Sequence, residues 1–360
     1  MLGSIIHSQP VHVGRPAPGL FSGRTFAGSS TYEAFAAAQS NRPAMIYVGS
    51  NGGMLHAFNA ATGVENYAFI PRTVLQNGLH NFAAPDFVHQ FFVDGEITIA
   101  DAFFAVGTEL PRWRTVLVST LGRGGRAIFA LDITDPNNIS LLWEINHNQV
   151  PALGNSLGKP LVAQVANGDW RVLIGNGPNG TGNRSQLISV RLSDGTASVV
   201  DSGAAGSQGL SAVNVWDANN DGFFETAYAG DFAGNLWRFN NLNAATTAHR
   251  LFTATSPNNT PQPITAAPAI ARNPDDTSQT WVYFGTGQYL NRDDLTSTAT
   301  QTWYGIIDGP TITSRNMLNR VGWIADVTVP NAAFGARVLD TGTPVRSEEH
   351  TSELQSRHNL

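Results

Sequence analysis

A strand-rich unit that recurs along the chain predicts an all-β fold, and specifically a β-propeller. Each copy consists of an apolar run, a turn containing glycine, and a second apolar run. Apolar and polar residues alternate with a period of two in these runs, as in strands with one buried face. The copies stand about 55 residues apart, a period typical of propeller blades. We therefore predict four-stranded blades, which must stack around an axis because one blade alone cannot bury both faces.

Five copies of the unit can be aligned on a small residue near the end of the first apolar run. These equivalent residues are Gly49, Ser119, Gly175, Gly230 and Gly285. The first gap is longer, about 70 residues, so we expect an insertion between the first two copies. The 36 Gly and 19 Pro supply turns between short strands, and 42% hydrophobic residues supply a core. We expect an incomplete propeller, with about five or six of about seven blades.

The composition changes abruptly after residue 345. Residues 346–360 are polar and resemble the translation of a sequencing-adapter read-through. We therefore predict one propeller domain over residues 1–345 and a non-native tail over residues 346–360. On this interpretation, one or more closing blades of the native protein would lie beyond residue 345.

The charge and composition of the chain argue against several classes of function. The chain has 21 Lys and Arg against 27 Asp and Glu, a net charge of −6, and no basic cluster, so we expect no nucleic-acid partner. Cysteine is absent, which leaves no disulfide or thiol chemistry. No apolar run approaches the roughly 20 residues that span a bilayer. The first residues carry no basic region or cleavage site, so an export signal would have to lie upstream.

One loop has the spacing of a calcium site. Asp217, Asn219 and Asp221 take positions 1, 3 and 5 of a calcium-type loop, and Gly222 takes the position of the sharp turn. The next carboxylate, Glu225, lies fewer residues from the start of the loop than the glutamate that is the last ligand of an EF-hand. The loop is therefore a shortened variant.

The flanks of this loop alternate like strands, so we predict a strand–loop–strand unit and no EF-hand helices. The backbone carbonyl of Phe223 is a further candidate ligand. Carboxylate, amide and carbonyl oxygens suit Ca²⁺ better than Zn²⁺, which favours His and Cys. The alternative is a solvated turn without metal, because Asp, Asn and Gly also dominate turns.

Motifs throughout the chain resemble the C-terminal β-propeller domain of the PilC/PilY family of type IV pilus tip-associated proteins. They include I-I-H-S-Q-P-V-H-V-G at residues 5–14, Y-V-G-S-N-G-G-M-L-H-A-F at 47–58, F-A-L-D-I-T-D-P at 129–136, Y-A-G-D-F-A-G-N-L-W-R-F at 228–239 and F-G-T-G-Q-Y-L at 284–290. The resemblance covers residues 4–345. Single pieces such as F-G-T-G are weak, whereas the combination is specific.

The resemblance implies a surface-exposed protein at the pilus tip or outer membrane, with pilus components such as minor pilins as partners. It further implies roles in pilus assembly, the balance of extension and retraction, twitching motility, and adhesion to a host or abiotic surface. A Ca²⁺ site is implied too, with ligands at Asp217, Asn219, Asp221, the Phe223 carbonyl and Glu225. The family more usually has Asp at the last of these positions, so the longer Glu225 side chain leaves the affinity open.

An enzymatic alternative comes from the turn at residues 57–63, which resembles the blade-closing turn of quinoprotein dehydrogenases and implies a β-propeller with quinoprotein-like four-stranded blades. Such an enzyme would use pyrroloquinoline quinone with Ca²⁺, typically beside a pair of adjacent cysteines, and this chain has no cysteine. Ser156 lies in a G-x-S-x-G pattern, but a strand follows it where a nucleophile elbow needs a helix. We therefore predict a non-enzymatic protein.

Overall fold

The computed structural model describes residues 2–165, 168–242, 245–315 and 322–327. These residues form five antiparallel sheets of four strands, and in every sheet the strands pair in chain order. The predicted all-β fold of four-stranded blades is confirmed, and the five sheets correspond to the five copies of the repeat. The predicted tail at 346–360 and the end of the predicted domain lie outside the described residues.

An insertion lies between the first sheet and the second. The first sheet contains β1 (Val11–Val13), β2 (Met45–Gly49), β3 (Leu55–Asn59) and β4 (Glu65–Phe69). The second contains β5 (Ile97–Phe104), β6 (Arg112–Thr120), β7 (Ala127–Asp132) and β8 (Ser140–Asn146). Helix α1 (Tyr32–Ala38) lies between β1 and β2, and α2 (Arg72–Gln76) lies between β4 and β5. The connection that contains α2 is the insertion predicted from the longer first gap.

The remaining three sheets follow the spacing of the repeat. The third contains β9 (Leu161–Gln164), β10 (Trp170–Gly175), β11 (Gln186–Arg191) and β12 (Ala197–Asp201). The fourth contains β13 (Leu210–Trp216), β14 (Thr226–Asp231), β15 (Asn235–Asn240) and β16 (Thr247–Thr253). The fifth contains β17 (Ala269–Arg272), β18 (Thr280–Gly285), β19 (Gln301–Ile307) and β20 (Gly322–Val327). Short 3-10 helices occur at Ser29–Thr31, Leu79–Asn81, Gly122–Gly124 and Arg292–Thr296.

The aligned small residues occupy one structural position, at or near the end of the second strand of each sheet. At Gly175 and Gly230, the reason is the close approach of the segment that follows. A Cβ atom on Gly175 would lie 1.9 Å from the carbonyl oxygen of Ser211 in β13. A Cβ atom on Gly230 would lie 2.2 Å from Cγ2 of Ile264, in the segment that leads to β17. At these two positions, the absence of a side chain permits the contact between consecutive blades.

The hydrophobic core lies between the sheets. Four buried clusters join the first sheet to the second, the second to the third, the third to the fourth, and the fourth to the fifth. Each sheet buries its faces against its neighbours in the chain, as stacked blades do. In the described residues, no helix is both long and apolar enough to cross a bilayer.

The long connection between β1 and β2 packs against the second and third sheets. The Phe21 ring stacks on Trp113 of β6 with centroids 4.9 Å apart. Phe26 contacts Trp170 of β10 at 6.2 Å. Buried aromatic side chains contribute strongly to packing. These contacts hold a segment of the first blade over the neighbouring blades, and Arg24 lies within that segment.

Candidate metal centre

The predicted calcium loop connects β13 to β14 in the fourth sheet. β13 ends at Trp216 and β14 begins at Thr226. The flanking elements are strands, so the predicted strand–loop–strand unit is confirmed. The loop is held at a blade end by strand pairing, with Trp216 opposite Thr226 in the register.

The backbone of the loop turns sharply around Asp217. Asn220 and Gly222 have φ values of 61° and 98°, in the left-handed region that glycine adopts without strain. The Asp217 carboxylate accepts hydrogen bonds from the Asp221 N–H at 3.1 Å and the Gly222 N–H at 2.8 Å. Glycine at the sixth position therefore permits the turn, as the sequence pattern predicted.

The turn brings the predicted side chains together. One oxygen each from Asp217, Asp221 and Glu225 lies within 4.8 Å of the others. The Asn219 amide nitrogen donates to Asp221 Oδ2 at 2.9 Å, and its Oδ1 accepts from the Asp221 N–H at 2.9 Å. Asp217 and Glu225 are half-buried, whereas Asn219 and Asp221 are exposed. Four of the five predicted residues thus contribute side chains to one cluster.

Phe223, the fifth predicted residue, is fixed by its backbone and its ring. Its N–H donates to Asp221 Oδ1 at 2.8 Å. Its ring lies 6.4 Å from that of Phe26 in the β1–β2 connection. The next residue, Phe224, donates its N–H to the carbonyl of Gln164 in the third sheet at 2.9 Å. Ligation by the Phe223 carbonyl stays a prediction.

The electrostatics of the cluster favour a bound cation. Burial raises the pKa of Glu225, and repulsion from Asp217 and Asp221 raises it further, against the hydrogen bond donated by the Ala218 N–H. Crowded carboxylates with an amide oxygen beside them form an oxygen-only donor set, which suits hard cations such as Ca²⁺. The chemistry of the donor set therefore fits the ion that the sequence predicted.

Two arginines that the sequence reasoning missed touch the same loop. Arg24 donates from Nη1 to the Asn220 carbonyl at 2.9 Å, and the same nitrogen lies 3.6 Å from Asp217 Oδ2. Arg272 of β17 donates to the Ala218 carbonyl. The first contact joins positions separated by 196 residues and the second by 54. No local pattern in the sequence could have indicated them.

Other candidates from the sequence lie outside the cluster. Ser156 is buried and donates its hydroxyl to the Gly175 carbonyl at 2.8 Å. This bond ties the segment before β9 to β10.

The fold and the loop define a class: a β-propeller of four-stranded blades with an oxygen-lined loop in one strand connection. The family model described as the PilY1 beta-propeller domain matches residues 2–250 and 245–322. The chain belongs to this family, and the resemblance stated from the sequence is confirmed.

The chain is similar to several known proteins. It is 45% identical over 343 residues to a type IV pilus biogenesis factor PilY1 homolog of Xylella fastidiosa, covering 94% of this chain and 27% of the relative. It is 40% identical over 343 residues to PilY1 of Pseudomonas aeruginosa PAO1, covering 86% and 29% respectively. The crystal structure of the P. aeruginosa PilY1 C-terminal domain superposes with a TM-score of 0.69 at 37% identity, covering 79% of this chain and 63% of that one. The chain thus spans less than a third of these curated relatives.

Proposed function

We propose that this chain is the calcium-binding propeller of a type IV pilus biogenesis protein. The observation that carries the proposal is the cluster of Asp217, Asp221 and Glu225, whose oxygens lie within 4.8 Å of one another. It occurs in a PilY1-family propeller, and relatives of that family are named as pilus biogenesis factors. The ion would be held by these carboxylates, Asn219 and the Phe223 carbonyl.

The contacts of the loop suggest how such a site would act. A bound cation would neutralise carboxylates that otherwise repel one another. The loop touches three other blades: the first through Arg24, the third through the Phe224–Gln164 hydrogen bond, and the fifth through Arg272. Ordering of the loop would therefore stiffen its junctions with the third and fifth blades, and calcium would control contacts made by the propeller surface.

The proposed setting is the cell surface, at the pilus tip or outer membrane. Pilus components such as minor pilins are the proposed partners, and a host or abiotic surface is the proposed adhesion target. Pilus assembly, the balance of extension against retraction, and twitching motility are the proposed processes. The names of the relatives support a biogenesis role rather than a dehydrogenase.

The test is titration of the chain with Ca²⁺ by calorimetry and with Tb³⁺ by luminescence. We expect one site in the wild type and its loss in Asp217→Ala. Asp276→Asn, an exposed acidic residue in the fifth sheet's β17–β18 hairpin, is the control and should bind as the wild type does. Unaltered binding by Asp217→Ala would refute the proposed site.

A further inference from the structure

We propose that Arg24 is an internal counter-cation of the loop, which lowers its affinity for a divalent ion and couples ion binding to the first blade. The inference rests on the proposed calcium site and concerns its regulation. Its basis is the 3.6 Å approach of Arg24 Nη1 to Asp217 Oδ2, an oxygen of the first predicted ligand.

The pair is partly shielded from solvent. The Asp217 side chain is 10% exposed and that of Arg24 is 34% exposed. Salt and water screen such a pair less than one between fully exposed groups. The positive charge of the Arg24 guanidinium therefore partly offsets the negative charge of the loop carboxylates when no metal ion is bound.

Packing positions Arg24 against the turn. A Cβ atom on Gly222 would lie 3.2 Å from Arg24 Cδ and Nη1, so the side chain runs directly beside this glycine. The Asn220 carbonyl accepts a hydrogen bond from the same nitrogen at 2.9 Å. Phe26, two residues along, contacts Phe223 of the loop and Trp170 of the third sheet. The packing of this segment therefore holds the Arg24 side chain against the loop.

A divalent ion and this guanidinium would share Asp217. Calcium–oxygen distances are about 2.3–2.6 Å, so the two positive charges would lie within several ångströms of each other. Their repulsion opposes ion binding, and by thermodynamic reciprocity a bound ion weakens the Arg24–Asp217 contact. Weakening of that contact would loosen the β1–β2 connection, which packs through Phe21 and Phe26 on the second and third sheets.

The first test compares ion affinity in charge variants. Arg24→Gln removes the charge and should bind Ca²⁺ about three- to tenfold more tightly than the wild type at low salt. The gain should shrink as ionic strength rises. Arg24→Lys keeps the charge and should stay closer to the wild type. Arg272→Gln is the matched control, because Arg272 touches the loop through a backbone carbonyl, and its effect should be smaller.

The second readout is hydrogen exchange of residues 18–31, with and without Ca²⁺. In the wild type, we expect the ion to speed exchange in this segment, and in Arg24→Gln we expect a smaller difference. Equal or weaker affinity in Arg24→Gln, or a segment indifferent to the ion, would overturn the role of Arg24. Absence of ion binding by the wild type would instead overturn the calcium site itself, so the two failures are distinguishable.

Discussion

Arg123, in the turn between β6 and β7, donates a hydrogen bond at 3.0 Å to the carbonyl oxygen of Leu290, 167 residues further along the chain. A second bond from the same guanidinium reaches the Tyr289 carbonyl at 3.0 Å. The second sheet is thereby tied to the β18–β19 connection of the fifth sheet. This contact joins two blades that are not consecutive in the chain.

Arg123→Gln should loosen that connection. Loss of both bonds is expected to lower the free energy of unfolding by about 1–2 kcal/mol and to speed proteolysis within residues 286–300. Arg126→Gln is the control, since Arg126 also donates to a carbonyl, that of Asn179, but joins consecutive sheets. Equal proteolysis of the two variants at residues 286–300 would contradict the proposed tie.

Glu225→Gln should have opposite effects with and without calcium. Without the ion, removal of one negative charge relieves repulsion from Asp217 and Asp221, so the melting temperature in EDTA should rise slightly. With the ion, loss of a ligand charge should weaken Ca²⁺ binding about tenfold or more. Thermal unfolding in EDTA and in calcium measures both. Lower stability in EDTA would argue against the crowding of these carboxylates.

Gly175→Ala should destabilise the contact between the third and fourth blades. The new methyl group would meet the Ser211 carbonyl at 1.9 Å, and overpacking of this kind costs about 2–3 kcal/mol. Gly285→Ala is a matched control at the equivalent position of the fifth sheet. Its nearest neighbour among the described residues is Trp303 at 3.6 Å, so the change should stay within about 1 kcal/mol. Chemical denaturation separates the two outcomes.

Asp308→Asn should weaken the junction between the fourth and fifth sheets. Asp308 follows β19, accepts from the Tyr228 hydroxyl at 2.8 Å, and pairs with Arg238 at 2.6 Å. Loss of the charge should cost about 1–3 kcal/mol, because both partners are largely buried. Asp194→Asn is the control, since its pair with Arg191 is exposed and should contribute less than about 1 kcal/mol. Similar losses in the two variants would contradict this assignment.

The sequence was sufficient for the blades and for the clustering of the loop carboxylates because both depend on local order. Strand alternation and the position of small residues such as Gly230 identify the repeat, and alternate oxygens from Asp217 onward identify the loop. The sequence did not indicate the contact between Arg24 and Asp217, because this contact depends on how the β1–β2 connection packs on two other blades. Such a contact arises from tertiary packing, which a single sequence does not display.

The placement of the hydrophobic clusters between consecutive sheets gives this domain the thermodynamics of a row of coupled units. Among the five described sheets, each interior sheet contacts a hydrophobic cluster on both sides, so its opening disrupts two of these clusters, while the first and fifth sheets each contact one. Protection against hydrogen exchange should then fall from the third sheet toward the ends. A ligand bound between β13 and β14 would reinforce the fourth sheet, which shares clusters with the third and the fifth, and would raise the cooperativity of their unfolding.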